Sequence, residues 1–226
     1  MKAENNYLYA DKVIKQVNQR IPLLLNDIRL RLMVFDEINP LILKELLKQA
    51  YNEVENQAIS AYLKIAQRTY AEAFDIAKQF GYKSGTYNPT LLVMITDWLL
   101  EYDGVTGYVF YNEITRKRER LFEQLMGSFM NKNDEDVLLT EPILKKASRY
   151  LENQITEYGD IVAYKAMEKA YSDAGVEKVI WLSEYDNRVC GECLNLSGKT
   201  FLLRDVPLKP HWGCRCWLLP IKTEKS

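Results

Sequence analysis

Cysteine and histidine are scarce here, with four cysteines and one histidine among 226 residues. A framework of many disulfides is therefore excluded. Ten glycines and seven prolines are also few, so long irregular loops are not expected. Charge of one sign is missing too. Thirty Lys and Arg against thirty-one acids leave a net charge of −1. The whole chain thus lacks the electrostatic signature of a nucleic-acid binder. The longest apolar runs, Pro22-Leu23-Leu24-Leu25 and Leu91-Leu92-Val93-Met94-Ile95, are far too short to span a bilayer. Met1 to Asn6 is polar and no apolar stretch follows. No secretory signal is read, and the expectation is synthesis in the cytoplasm, where thiols stay reduced.

What is present reads as helix over most of the length. Tyr7 to about Leu32 has helical periodicity, interrupted at Pro22, which predicts a kink or two shorter helices. Asn39-Pro40 is a start signal for a long helix reaching about Phe80. Along it Leu47, Ala50, Val54, Ala58, Ala61 and Ile65 recur at steps of three or four and share one face. Gly81 fits the position just past its end. Asn88-Pro89 opens another helical segment, carrying Leu92, Ile95, Leu99 and Leu100 and broken by Gly104 and Gly107. Glu113 to Met130 is a further helix. Thr140-Glu141-Pro142 predicts a capped start for a helix from Ile143 to about Asp173, with Ala147, Leu151, Ile155, Tyr158 and Val162 along one side.

After Gly175 the pattern changes. Lys178 to Leu182 is β-branched and aromatic, and Lys199 to Leu202 and Cys216 to Leu219 are further candidate strands. The fold class expected is mainly α, strictly α+β: long amphipathic helices and then a small C-terminal β-rich module stapled by zinc. The division expected is a helical part over 1–175 and a Cys/His module over 176–226.

All four cysteines and the histidine fall between residues 190 and 216. Cys190-Gly191-Glu192-Cys193 has the spacing that brings two thiolates onto one ion. His211, Cys214 and Cys216 add three candidates. Structural zinc takes four ligands, so five candidates are one too many. Cys193, Cys214 and Cys216 rank first, while Cys190 and His211 compete for the fourth place. A chain of about fifty residues after Gly175 cannot build a large core, and one structural zinc ion would supply folding free energy directly. Trp181, Phe201, Trp212 and Trp217 would form the apolar shell, with Asp186 and Arg188 pairing or capping within the turn before Cys190. Two disulfides, or a catalytic cysteine with His211 as base, are the competing readings of the same residues.

From Asn187 onward seven basic and three acidic residues give +4, and four thiolates on one zinc contribute −2. The mildly basic remainder permits phosphate contact without requiring it. The run Arg116-Lys117-Arg118…Arg120 reads as a solvated helix face.

The order Asp186-Asn187-Arg188-Val189-Cys190-x-x-Cys193, then Ser197-Gly198-Lys199-Thr200-Phe201, then Pro210-His211-x-x-Cys214-Arg215-Cys216 resembles the C-terminal domain of phage Mu F-like minor head proteins. These are the head morphogenesis or minor capsid proteins of tailed phages. Trp212 stands where that family usually has proline. The resemblance covers about forty residues; the helical remainder fits only in general character. It implies a virion component at the portal vertex or capsid interior, made in the bacterial host cytoplasm. It further implies a role in head morphogenesis and in genome packaging or ejection, with the portal and other head proteins as partners and phage DNA as a further contact. On this reading the chain is not an enzyme and has no membrane segment. The alternatives are a zinc-containing DNA-binding or regulatory module, disfavoured by the net charge, and a cysteine-dependent hydrolase or toxin.

Overall fold

The computed structural model describes residues 4–34, 39–82, 94, 95, 97, 99, 110–130, 137–183, 189–209 and 213–222. Among the described residues, five long or medium helices have defined bounds and come first: α1 Glu4–Asn18, α2 Ile21–Leu32, α3 Pro40–Gln79, α4 Phe110–Met130 and α5 Val137–Asp173. Three strands follow, β1 Lys178–Leu182, β2 Thr200–Leu202 and β3 Trp217–Pro220, with a short helix α6 Gly191–Leu196 and a 3-10 turn Leu203–Asp205 between them. The protein is mainly α with a small C-terminal β module. No helix among the described residues is long and apolar enough to cross a membrane.

The proline-marked boundaries follow from local chemistry. The first helical stretch divides at Gln19 and Arg20, and Pro22 lies in the first turn of α2, where it lacks only an N–H that would have no helical partner. Asn39 caps α3 by accepting the Leu41 amide at 2.9 Å. Pro142 behaves differently. The helix begins at Val137, three residues before the expected Thr140 cap, and carries the proline inside it. Only one i→i−4 bond is forfeited there, close to an end, and Thr140 is buried instead of capping.

Helix α3, 40 residues long, is about 60 Å from end to end and packs chiefly against α5. The expected face of α3, from Leu47 to Ile65, is buried throughout. So are Leu151, Ile155, Tyr158 and Val162 on α5. Tyr62, Phe110 and Tyr158 join α3, α4 and α5 through edge-to-face contacts, with centroids 5.8 and 4.8 Å apart. Helix α1 crosses α5 at Gly159, where a Cβ would come within 2.9 Å of Ile14 Cδ1. A side chain here would have to displace the Ile14 tip, which glycine leaves in place. Of the segment expected to start at Asn88-Pro89, Ile95 and Leu99 are described and buried; the remainder lies outside the described residues, apart from Met94 and Asp97.

Strand β1 is central in the sheet and pairs antiparallel with both neighbours. The pleat of the strand buries Val179 and Trp181 on one face, with Ile180 and Leu182 half-buried on the other. Tyrosine hydroxyls bind this module to the helices. Tyr171 donates to the Leu218 carbonyl at 2.9 Å, Tyr164 to the Pro207 carbonyl at 3.1 Å, and Tyr82 to the Ile221 carbonyl at 2.6 Å. Each ring buries apolar area while its hydroxyl satisfies a carbonyl that has left its ladder, which gives the tyrosine-rich composition a structural purpose.

Candidate metal centre

Two chain segments meet at the C-terminal end of β1. The first is the start of α6. Cys190 is its N-cap residue, in extended conformation, and its Sγ accepts the Cys193 amide at 3.3 Å. A thiol here takes the place of the usual Ser or Asp oxygen, while the first helical turn carries Cys193 inward. The second segment follows Gly213, whose φ of 67° is in the left-handed region that favours glycine. That turn brings the chain back through Cys214 and Cys216 into β3.

The sulfurs of Cys193, Cys214 and Cys216 all lie within 4.8 Å of one another. Cys193 and Cys214 are 3.6 Å apart at Sγ. Two sulfurs bound tetrahedrally to one zinc stand about 3.8 Å apart, so this pair already has nearly the separation a metal would impose. All three residues are 2% exposed or less. All four cysteines are free thiols. Cys190 is half-buried and outside the group of three, and its sulfur is tied to Cys193 through the Cys193 amide. His211, Trp212, Asp186 and Arg188 lie outside the described residues.

The protons in this cluster are unevenly held. Cys216 is pulled down to about 5, first by the S–H that Cys214 donates, with Ser183, Cys193 and Trp181 adding to the effect against the opposing cost of burial. Cys214 is pushed up because its proton bridges to Cys216, and burial raises it further. Cys193 is raised to about 12, chiefly by burial and then by its contact with Cys216. One thiolate thus sits among thiols that point protons at it. A divalent cation can replace those protons, and its uptake would release them. The donor set is soft, compact and dry, which suits zinc better than the hard cations that prefer oxygen.

Groups around the sulfurs fix their positions. Ser183, buried just past β1, donates to the Cys193 carbonyl at 2.7 Å and stands 3.4 Å from the Cys216 sulfur. Trp181 Nε1 is buried without a hydrogen bond of regular geometry, and the indole helps to lower the Cys216 thiol. Trp181 packs between Tyr164 and Phe201, at 6.1 and 6.5 Å between ring centroids. Of the expected aromatic shell, Trp181 is the fully buried member, while Phe201 and Trp217 are half-buried. Lys209 donates to the Cys214 carbonyl at 2.6 Å. Sequence reasoning did not single out Ser183 or Lys209, because neither adjoins a ligand in the chain.

No family model, curated protein or solved structure matches this chain.

Proposed function

We propose that this is a minor head protein of the phage Mu F-like kind, whose C-terminal module is held by one structural zinc ion. The observation that carries the metal half is the convergence of Cys193, Cys214 and Cys216 from two segments onto one buried point. Cys190 or His211 completes the tetrahedron. The ion stabilises a sheet of three short strands that has little core of its own, and that sheet is seated on α5. The role in the head is supported by the order and spacing of the cysteine motif.

In this reading the helices supply the partner surface. Leu30, Met33 and Val34 at the end of α2 and Leu41 and Ile42 at the start of α3 are exposed apolar side chains on either side of one connection. They are the surface we assign to the portal or another head protein. The expected result is that mass spectrometry of purified virions of the phage encoding this chain finds it in a few copies per particle. Disruption of its coding sequence is expected to leave heads that fail in assembly, packaging or ejection. Absence from virions, with normal heads after disruption, would remove the phage-head assignment and leave the metal module unaffected.

A further inference from the structure

Lys209 is a lysine in an unusual place. It is 5% exposed, and its ammonium group donates to the carbonyl of Cys214 at 2.6 Å and lies 5.7 Å from the centre of the Tyr164 ring. Lysines are seldom buried this fully unless negative charge is close by. Two sources of negative charge are within its electrostatic reach. One is the Cys214 sulfur; the other is Asp160 on α5, whose carboxyl is pushed up to about 6 by burial, an effect that Lys209 opposes. Arg215 also favours the Asp160 carboxylate, and Asp11 of α1 opposes it. Lys209 thus touches the cluster through the Cys214 carbonyl and α5 through the Tyr164 ring, and its charge acts on Asp160 of the same helix.

Zinc held by four thiolates carries −2, and zinc held by three thiolates and a neutral imidazole carries −1. Either form is an anion placed in the protein interior, where an uncompensated charge costs several kcal/mol. We propose that Lys209 is the counter-charge of this metal–thiolate centre: a positioning residue whose ammonium group, anchored on the Cys214 carbonyl, balances the cluster against α5. The inference rests on the zinc reading above. In it, Lys209 tightens metal binding through its charge. Asp160, on the same charge group with the opposite sign, weakens binding.

The test is zinc affinity by chelator competition at constant pH, on the full chain, for wild type, Lys209→Met, Asp160→Asn and the double variant. Helix content is checked by circular dichroism. Methionine keeps most of the lysine stem but removes both its charge and its hydrogen bond to the Cys214 carbonyl; asparagine is isosteric with aspartate, so Asp160→Asn and the double variant isolate the charge. Partners that support metal ligands in this way typically contribute 10- to 100-fold to affinity, so Lys209→Met is expected to bind zinc at least about tenfold more weakly. Asp160→Asn is expected to bind it more tightly, and the double variant to return toward wild type. Equal affinities in wild type and Lys209→Met would overturn the counter-charge role while leaving the zinc site standing. Weaker binding in both single variants would overturn it as well, since lost packing and not charge would be the cause. Absence of zinc binding in the wild type would remove the zinc reading itself, and this inference with it.

Discussion

Cys193→Ser is expected to lose stoichiometric metal and to unfold the C-terminal module while leaving the long helices in place. Cys193 is the one cysteine of the buried group contributed by α6, so its loss disconnects the two segments that the proposed ion would join. Structural zinc contributes roughly 10–16 kcal/mol in small modules. Losing one ligand of four is expected to remove at least about 3 kcal/mol of that, or more than a hundredfold in affinity. The sheet that remains has strands of five, three and four residues, too little to persist alone. The measurement pairs far-ultraviolet circular dichroism, which reports the helices, with limited proteolysis between residues 176 and 222. Helicity is expected to stay near wild type while cleavage in the module becomes rapid. An intact, protease-resistant module with no metal would show that apolar packing alone holds it.

Trp181→Ala is expected to cost about 3–5 kcal/mol in the free energy of opening the sheet. The indole is fully buried at the middle of the central strand and packs against Tyr164 and Phe201. The indole also acts on the Cys216 thiol, so the same truncation alters the surroundings of a candidate ligand. Hydrogen exchange at the amides of β1 reads this directly, and protection is expected to fall at least about a hundredfold. Trp181→Phe fills most of the volume but removes the indole N–H. It is expected to fall between wild type and alanine in protection, with a weakened hold on metal. Unchanged protection in the alanine variant would mean that β1 is held by its ladder and not by its contact with α5.

These two substitutions also mark the boundary of what the sequence could reveal. Trp181 is legible as a strand residue because Lys178–Leu182 is β-branched and aromatic. The cysteines were visible because they cluster. Asn39-Pro40 was legible because capping is local: the Asn39 side chain reaches an amide two residues away. The buried face of α3 was legible because helical period alone brings Leu47, Val54, Ala58 and Ile65 into line. The short helix α6 is not legible, since six residues give too little period and its N-cap acceptor is a thiol instead of the usual side-chain oxygen. Pro142 misled for a related reason. Proline marks helix starts on average, but a helix can absorb one lost bond near its end.

The neighbours of the sulfurs were illegible in principle. Ser183 and Lys209 reach Cys193, Cys216 and Cys214 across separations of 10, 33 and 5 residues. Such distances close only once β1 has paired and the module has docked on α5. The tyrosines are an intermediate case. Their abundance was plain, but only the structure shows that Tyr82, Tyr164 and Tyr171 each donate to a carbonyl of the C-terminal module. The helical body and the metal module are therefore joined by buried polar contacts as well as by chain.

The central claim is that Cys193, Cys214 and Cys216 belong to one structural zinc site. Its most direct measurement is X-ray absorption at the zinc edge, combined with elemental mass spectrometry, on protein purified under reducing conditions. The account predicts about one zinc per chain, with three or four sulfur ligands at about 2.3 Å and thiols released only by a chelator. Protein without metal, its four thiols free to react or paired in disulfides, would contradict it.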